Sequence, residues 1–160
     1  MTDQTDQPDQ PDLPDEWTTA ELLRKVDDGW RQLNERLAAF PEATLDEPVG
    51  GGWTRRQMLR HLAVWHELTT QRLAEYQRTG QRPEMPKTTD EINEDAMASA
   101  AGRSRDRLIS DLATSFAGLR AEIAKLRDEQ LPELDYWPGG VVVGNTYGHY
   151  DEHRADLDRA

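Results

Sequence analysis

Apolar residues recur at alternating three- and four-residue intervals along most of the chain, which is the spacing of one face of an α-helix. The first periodic segment contains six such residues: Leu23, Val26, Trp30, Leu33, Leu37 and Phe40. Pro41 is predicted to end this helix, because a proline disfavours the helical conformation of the residue before it. A second helix is predicted from about Arg55 to Thr79, where Gly80 and Pro83 stop it.

The rest of the chain is predicted to supply a third and a fourth helix. Residues 89–129 are compatible with helix throughout, and Gly102 is expected to break them into a short alanine-rich arm and a longer helix. The fourth helix is predicted to begin near Asn145, a good cap residue. The segment 141–143 is compatible with a short strand or a buried loop, and no β-hairpin pattern is found. The periodicity therefore predicts an all-α fold, a four-helix bundle.

Three predicted helix starts carry the sequence signature of a capping box, in which two side chains satisfy backbone N–H groups reciprocally. The pairs are Thr18 with Glu21, Thr54 with Gln57, and Thr88 with Glu91. Trp17 and Trp53 each stand one residue before a cap, at the position of a hydrophobic staple. The starts of three helices are thus marked by local sequence.

The first 16 residues differ sharply from the rest in composition. Residues 2–16 form five triplets with a central Asp, and they contain six acids, three prolines and no base. Such a segment cannot bury enough apolar surface to offset the entropy of ordering it. We predict a disordered acidic tail over residues 1–16 and one domain, the helical bundle, over residues 17–160.

Composition narrows the classes of function. The 160 residues include 31 acids, 19 bases and no cysteine, for a net charge of −12. The lack of cysteine excludes disulfides, thiolate metal ligands and a cysteine nucleophile. Neither a signal peptide nor an 18-residue apolar run occurs, so we expect a cytoplasmic protein with no membrane partner. The acidic balance predicts no nucleic-acid partner, since phosphate binding needs clustered Lys and Arg.

Three histidines form the most informative chemical pattern. His149 and His153 are four residues apart on a predicted helix, so both imidazoles share one face. His61 lies on the inward stripe of the second helix, and the three imidazoles would make an open metal site. His66, five residues after His61, is rotated by about 140° and should point elsewhere.

Two further residues are candidates for the surroundings of this site. Asp156 is three residues after His153 and could orient an imidazole or serve as an extra ligand. Trp65, one turn from His61, could line a pocket. The same residues also fit another interpretation, with His61 as a satisfied core histidine, His149 and His153 as a solvated pair, and the tryptophans as core. Spacing alone leaves both interpretations open.

Two motifs of the chain resemble the DinB-like four-helix bundle superfamily. They are Trp53-Thr54-x-x-x-Met58-Leu59-x-His61-Leu62-x-x-Trp65 and Gly148-His149-Tyr150-x-x-His153. The ending looks particularly like the ClbS/DfsB branch and the metal-binding domain of mycothiol-dependent maleylpyruvate isomerases, although the isomerases carry an acidic residue where this chain has His149. The resemblance covers nearly everything after the tail.

The resemblance implies a fold, a metal site and an assembly. It implies a DinB-type bundle whose metal triad is His61, His149 and His153, holding a divalent transition ion, zinc or nickel. It also implies pairing as a homodimer.

Two classes of function follow from these patterns and the resemblance. In the first, the protein is a metal-dependent thiol transferase or hydrolase that acts on a small electrophilic molecule. Because the chain has no cysteine, any thiol would be a low-molecular-weight cosubstrate. In the second, the protein is not an enzyme and sequesters a reactive small molecule for self-protection, with a structural metal or none.

Overall fold

Most of the residues that the structure describes lie in six helices. The computed structural model describes residues 13–157. The helices are α1 (Thr19–Leu37), α2 (Arg55–Thr79), α3 (Thr89–Ala100), α4 (Arg105–Ala124), α5 (Glu133–Asn145) and α6 (Tyr147–Leu157). Short 3-10 turns occupy Glu42–Thr44 and Asp128–Gln130. Of the predicted acidic tail, residues 1–12 lie outside the described residues.

The capping signals correctly located three helix starts. Both reciprocal bonds of the box are present at two of them, formed by Thr54 with Gln57 and by Thr88 with Glu91. At α1 the box is only half formed. The Thr18 hydroxyl accepts from the backbone N–H of Glu21, but the Glu21 carboxylate pairs with Arg24 instead of returning to the cap.

The bounds of α2 match the prediction, whereas α1 is shorter than predicted. Gly80 ends α2 in the left-handed conformation, with φ of +69°. The first helix ends at Leu37, before Pro41. The Arg105 side chain donates to the carbonyls of Leu37 and Phe40, at 3.2 and 3.1 Å. These carbonyls are thereby satisfied outside a continued helix.

A small hairpin precedes α2, so the expectation of no hairpin was wrong. Strands β1 (Pro48–Gly50) and β2 (Trp53–Thr54) pair antiparallel. Gly51 and Gly52 make the turn with φ of +59° and +81°, a backbone region that favours glycine. The strands are too short to show an alternating pattern. The hairpin places Trp53 beside the first turns of α2.

The third predicted segment breaks where Gly102 was expected to break it. Gly102 has φ of +74° between α3 and α4. The short arm α3 lies along α2, where Arg60 Nε donates to Ser99 Oγ at 3.0 Å. The arm therefore covers one side of α2 beside the bundle.

The segment 141–143 is helical, so both predictions for it, strand and buried loop, were wrong. Val141–Val143 lie inside α5, and the regular part of that helix follows three positive-φ residues, Leu134–Tyr136. A Cβ at Gly139 would collide with the Trp17 ring, so this glycine allows α5 to pack closely beneath Trp17. Tertiary packing here overrides the weak helix propensity of glycine and valine.

The helices enclose one apolar core. Helix α2 packs against α3, α4 and α5, while α1 packs against α4 and α6. A break at Thr146 separates α5 from α6, so two consecutive helices occupy the fourth position of the predicted bundle. Helix α1 crosses α6 at Gly29, where a Cβ would collide with the Cβ of Tyr147. The all-α prediction is confirmed, with six helices in place of four.

Within residues 13–157, no helix is both long enough and apolar enough to span a bilayer.

Candidate metal centre

The structure brings the three predicted histidines together between α2 and α6. His61 lies in the second turn of α2, and His149 and His153 stand one turn apart on α6. One nitrogen of each imidazole lies within 4.8 Å of one nitrogen of the other two. Two helices that are distant in sequence thus supply one cluster, which we call the histidine triad.

The triad is tight and largely shielded from solvent. The Nε2 atoms of His61 and His149 are 2.8 Å apart. Ring centroids are separated by 4.8 Å for this pair, by 5.2 Å for His61 and His153, and by 4.8 Å for His149 and His153. His61 and His149 are 4% and 7% exposed, whereas His153 is half-buried. Any approach from solvent is therefore on the His153 side.

Burial keeps the inner imidazoles neutral. The pKa of His61 is lowered to about 4, mainly by burial and also by the neighbouring His153, while the Asn93 side chain acts in the opposite direction. Burial also lowers the pKa of His149 well below its usual range, helped by His61 and His153. Neutral imidazole is the form that binds a metal ion. Both side chains are therefore ready to act as ligands at neutral pH.

The predicted neighbours Asp156 and Trp65 lie close to the triad. Asp156 Oδ2 is 3.5 Å from His153 Nδ1, at the edge of hydrogen-bond distance. Because this contact uses Nδ1, Nε2 is the nitrogen with which His153 would bind an ion. The Trp65 ring is 6.3 Å from the His61 ring, and its indole N–H donates to Asn93 Oδ1 at 2.9 Å.

Sequence reasoning missed two residues that border the triad. The Trp53 ring lies 4.5 Å from the His61 ring and stacks at 6.2 Å on His153. Its position before a helix cap indicated only a staple. Asn93 reaches Trp65 from α3, an arm whose placement no local pattern reports. The three consecutive glycines before Trp53 were the available signal for a turn.

The donor set fits a divalent transition ion. Both His61 Nδ1 and His149 Nδ1 are buried and have no hydrogen-bond partner within residues 13–157. Their Nε2 atoms face each other, although two neutral imidazoles can share only one proton at that contact. Three imidazoles without a thiolate are ligands suited to zinc or nickel. The side chains therefore fit the ion that the sequence motif implies.

His66 stays outside the triad, as its rotation on α2 predicted. It is fully buried, with Nδ1 at 3.0 Å from Ser115 Oγ and Nε2 at 2.6 Å from the Tyr150 hydroxyl. Burial lowers its pKa to about 3, so the ring is neutral at pH 7. The protein alone satisfies both of its nitrogens.

Solved structures share this fold at low sequence identity. The colibactin self-resistance protein ClbS, in complex with double-stranded DNA, is 17% identical with a TM-score of 0.74, covering 91% of this chain and 96% of ClbS. DfsB, described as a sibling lethal factor precursor, is 14% identical with a TM-score of 0.75, covering 88% and 92%.

A third structural relative is longer than this chain. A mutant of mycothiol-dependent maleylpyruvate isomerase is 18% identical with a TM-score of 0.62, covering 89% of this chain and 61% of the isomerase. The likeness to ClbS, DfsB and the isomerase therefore concerns the fold. No curated protein matches the sequence significantly.

One prediction needs correction on this comparison. The predicted exclusion of a nucleic-acid partner is wrong, because ClbS has this fold and is described bound to double-stranded DNA. The argument used the net charge of the whole chain, although six of its 31 acids lie within residues 3–16. A total charge does not describe the potential of one face of a folded domain. Zinc, nickel and the homodimer stay predictions.

The sequence itself identifies the family. The profile of the DinB superfamily matches residues 25–156, which include α2, all but the last residue of α6, and all three histidines of the triad. This agrees with the fold and with the relatives that the two motifs suggested. The chain belongs to the DinB superfamily.

Proposed function

We propose that this protein binds one divalent transition ion, zinc or nickel, through His61, His149 and His153, and that it is a thiol transferase or hydrolase for a small electrophilic molecule. The convergence of three imidazoles from α2 and α6 carries the proposal. Two of them are buried and neutral, and their Nε2 atoms lie 2.8 Å apart. An ion would occupy the side on which the imidazoles face one another.

The chemistry of the site follows from these donors. When bound, a divalent ion supplies Lewis-acid chemistry, which polarises an electrophile and lowers the pKa of a thiol or water. Burial of His61 and His149 keeps water away from the inner side of the site and holds both rings in place. The half-buried His153 leaves the outer side accessible to a small molecule.

The side chains around the triad would orient that molecule. Trp53 and Trp65 present aromatic rings near His61, an apolar surface for the carbon frame of an electrophile. Asn93, held by the Trp65 indole, offers a polar group beside them. No side chain of this protein is a thiol, so a transferred thiol must be a cosubstrate. The likeness to a mycothiol-dependent isomerase supports that option.

The decisive experiment is metal analysis of the purified protein and of His153→Ala. His153 is the most exposed ligand, so its removal should disturb folding least. We expect about one ion per chain in the wild type and loss of most of it in the variant. Glu152→Ala, an exposed neighbour on α6, is the matched control and should keep its metal. Equal metal content in wild type and His153→Ala would contradict the proposal.

Sequestration is the second candidate, and the likeness to ClbS favours it, because ClbS is described as a self-resistance protein. The two functions differ in turnover. A chlorodinitrobenzene offered with a low-molecular-weight thiol should be consumed catalytically, and a chelator should abolish that reaction. Stoichiometric binding that a chelator leaves unchanged would favour sequestration.

A further inference from the structure

A second set of polar groups is buried beside the triad and has no role in the proposed chemistry. His66 on α2 lies between Ser115 on α4 and Tyr150 on α6, and we call these three residues the His66 network. The three are 0%, 7% and 5% exposed. The network therefore links three helices of the bundle through hydrogen bonds in the interior.

The hydrogen bonds of this network allow one consistent assignment of donors and acceptors. The Ser115 hydroxyl donates its single proton to the Leu112 carbonyl at 2.8 Å, so its oxygen must accept from His66 Nδ1–H. Burial lowers the pKa of His66 to about 3, and the neutral ring carries only that one proton. His66 Nε2 is then an acceptor, and the Tyr150 hydroxyl donates to it.

The opposite direction would leave groups unsatisfied. If His66 carried its proton on Nε2, the Tyr150 hydroxyl would have to accept there. Its own proton would then have no acceptor among residues 13–157. A tyrosine hydroxyl, whose ordinary pKa is about 10, keeps its proton at pH 7. A buried donor without a partner costs about 1–3 kcal/mol.

The network is coupled to the triad through helix geometry. Tyr150 follows His149 directly and is rotated from it by about 100° around α6. Two imidazole contacts consequently join α2 and α6, His61 with His149 and His66 with Tyr150. A rotation of α6 that separates Tyr150 from His66 also turns His149 away from His61.

Aromatic packing excludes water from this second contact. The Trp30 ring stacks on Phe116 at 4.1 Å and lies 6.1 Å from His66 and 6.4 Å from Tyr150. In such surroundings a hydrogen bond has no water to replace it. The His66–Tyr150 bond is therefore directional and hard to exchange.

We infer that the His66 network is a positioning device for the metal site. The Tyr150 hydroxyl, by donating to His66 Nε2, fixes the rotation of α6 and thereby holds His149 in register with His61 and His153. This inference rests on the proposed metal binding. Its residues are outside the group of proposed ligands, so they are positioning residues.

The direction of the network can be tested without metal. Nitrogen NMR of the 15N-labelled protein distinguishes the two neutral imidazole tautomers. We expect His66 to carry its proton on Nδ1 at pH 7. A proton on Nε2 would overturn the inference, because Tyr150 would then not be the donor that fixes α6.

The coupling to the triad can be tested with matched Tyr→Phe changes. Tyr150→Phe removes the donor and keeps the ring, and calorimetric titration with Zn²⁺ should show about tenfold weaker binding. Tyr76→Phe is the control, since Tyr76 is also buried and its hydroxyl bonds Glu133. Tyr76 is about 22 Å along α2 from His61, so Zn²⁺ affinity should not change. If the Tyr150 hydroxyl had only a structural role, both variants would melt at a lower temperature and both would bind Zn²⁺ with wild-type affinity.

The outcomes separate this inference from the proposed function. Ser115→Ala removes the acceptor for His66 Nδ1–H and should weaken Zn²⁺ binding less than Tyr150→Phe. Wild-type affinity in both Tyr150→Phe and Ser115→Ala would overturn the positioning role and leave the metal proposal standing. Absence of Zn²⁺ binding by the wild type would overturn the proposed function and the coupling with it.

Discussion

Two buried imidazoles on the same helix, the proposed ligand His61 and the structural His66, differ in the hydrogen bonds that the protein gives them. His61 and His66 are five residues apart on α2, and burial lowers the pKa of both. His66 has a protein partner at each nitrogen. His61 has no partner for Nδ1 within residues 13–157, and its Nε2 faces another imidazole. Both residues are buried, so it is their hydrogen bonds that distinguish His61 from His66.

The two sites differ in how much a bound ligand could stabilise the folded protein. The His66 network is complete in the protein itself, so it stabilises the fold without a ligand. The triad turns three neighbouring ring nitrogens toward one another, and an ion bound there would stabilise the folded protein through its coordination bonds. Three measurements test this contrast between His61 and His66 and the surroundings of the triad.

The largest expected effect is stabilisation of the wild type by metal. Zn²⁺ at a thousandfold excess over its Kd should add about 4 kcal/mol to the free energy of unfolding. For a chain of this length that corresponds to about 8–16 °C in Tm. Differential scanning fluorimetry with Zn²⁺, and then with excess chelator, measures the shift and its reversal. A shift of the same size in His61→Ala would mean that the ion binds elsewhere.

The second effect is a loss of stability in acid that depends on His66. Its pKa is about 3 in the folded protein and about 6.5 in the unfolded chain. Between these values the unfolded chain binds a proton that the folded protein does not, so lowering the pH favours unfolding. From pH 7 to pH 4.5 this group should account for about 2–3 kcal/mol.

His66→Gln isolates that contribution. Urea unfolding at both pH values, with chelator present, should show a smaller acid-induced loss for the variant than for the wild type. The other histidines titrate in both proteins, so the difference between the two losses reports His66. Equal losses would show that the His66 network is not what makes the protein acid-sensitive.

The smallest effect concerns the carboxylate behind His153. Asp156→Asn keeps the size of the side chain and removes its charge, so His153 loses a charged acceptor at Nδ1. We expect Zn²⁺ binding to weaken by about tenfold, near the lower limit for such partners because the contact is long. Asp151→Asn, which affects only a pair with Arg154 on α6, is the control. Identical Zn²⁺ affinities for the two variants would remove Asp156 from the site.

Local signals explain how much of the fold could be predicted. The capping box at Thr54 and the glycine at position 80 define α2 within the chain itself, and its bounds were predicted correctly. The residues of α5 carry no such signal, because glycines and valines favour other structures. That helix depends on Trp17 packing against Gly139, a contact across more than 120 residues that no local window contains.

Some residues of the candidate site could likewise be predicted from local sequence, whereas others could not. His149 and His153 are one turn apart, so their spacing is visible in the sequence, and the motif around His61 supplied the third residue. Trp53 and Asn93 come from a hairpin and from an arm whose placement depends on packing. Tyr150 was noted on its helix, but its hydrogen bond with His66 requires the relative positions of α2 and α6. Spacing reports neighbours along a helix and not between helices.

Gly29 lowers the intrinsic stability of α1, but its lack of a side chain lets α6 pack closely against α1 near the triad. In an isolated helix, Gly→Ala is stabilising by about 1 kcal/mol. At Gly29 the added methyl group would meet Tyr147, two residues before His149, and would push the start of α6 outward. A substitution that improves the helix would thus damage the arrangement of the imidazoles. The collision would also cost packing free energy, so glycine at this position serves both the stability of the bundle and the arrangement of the site.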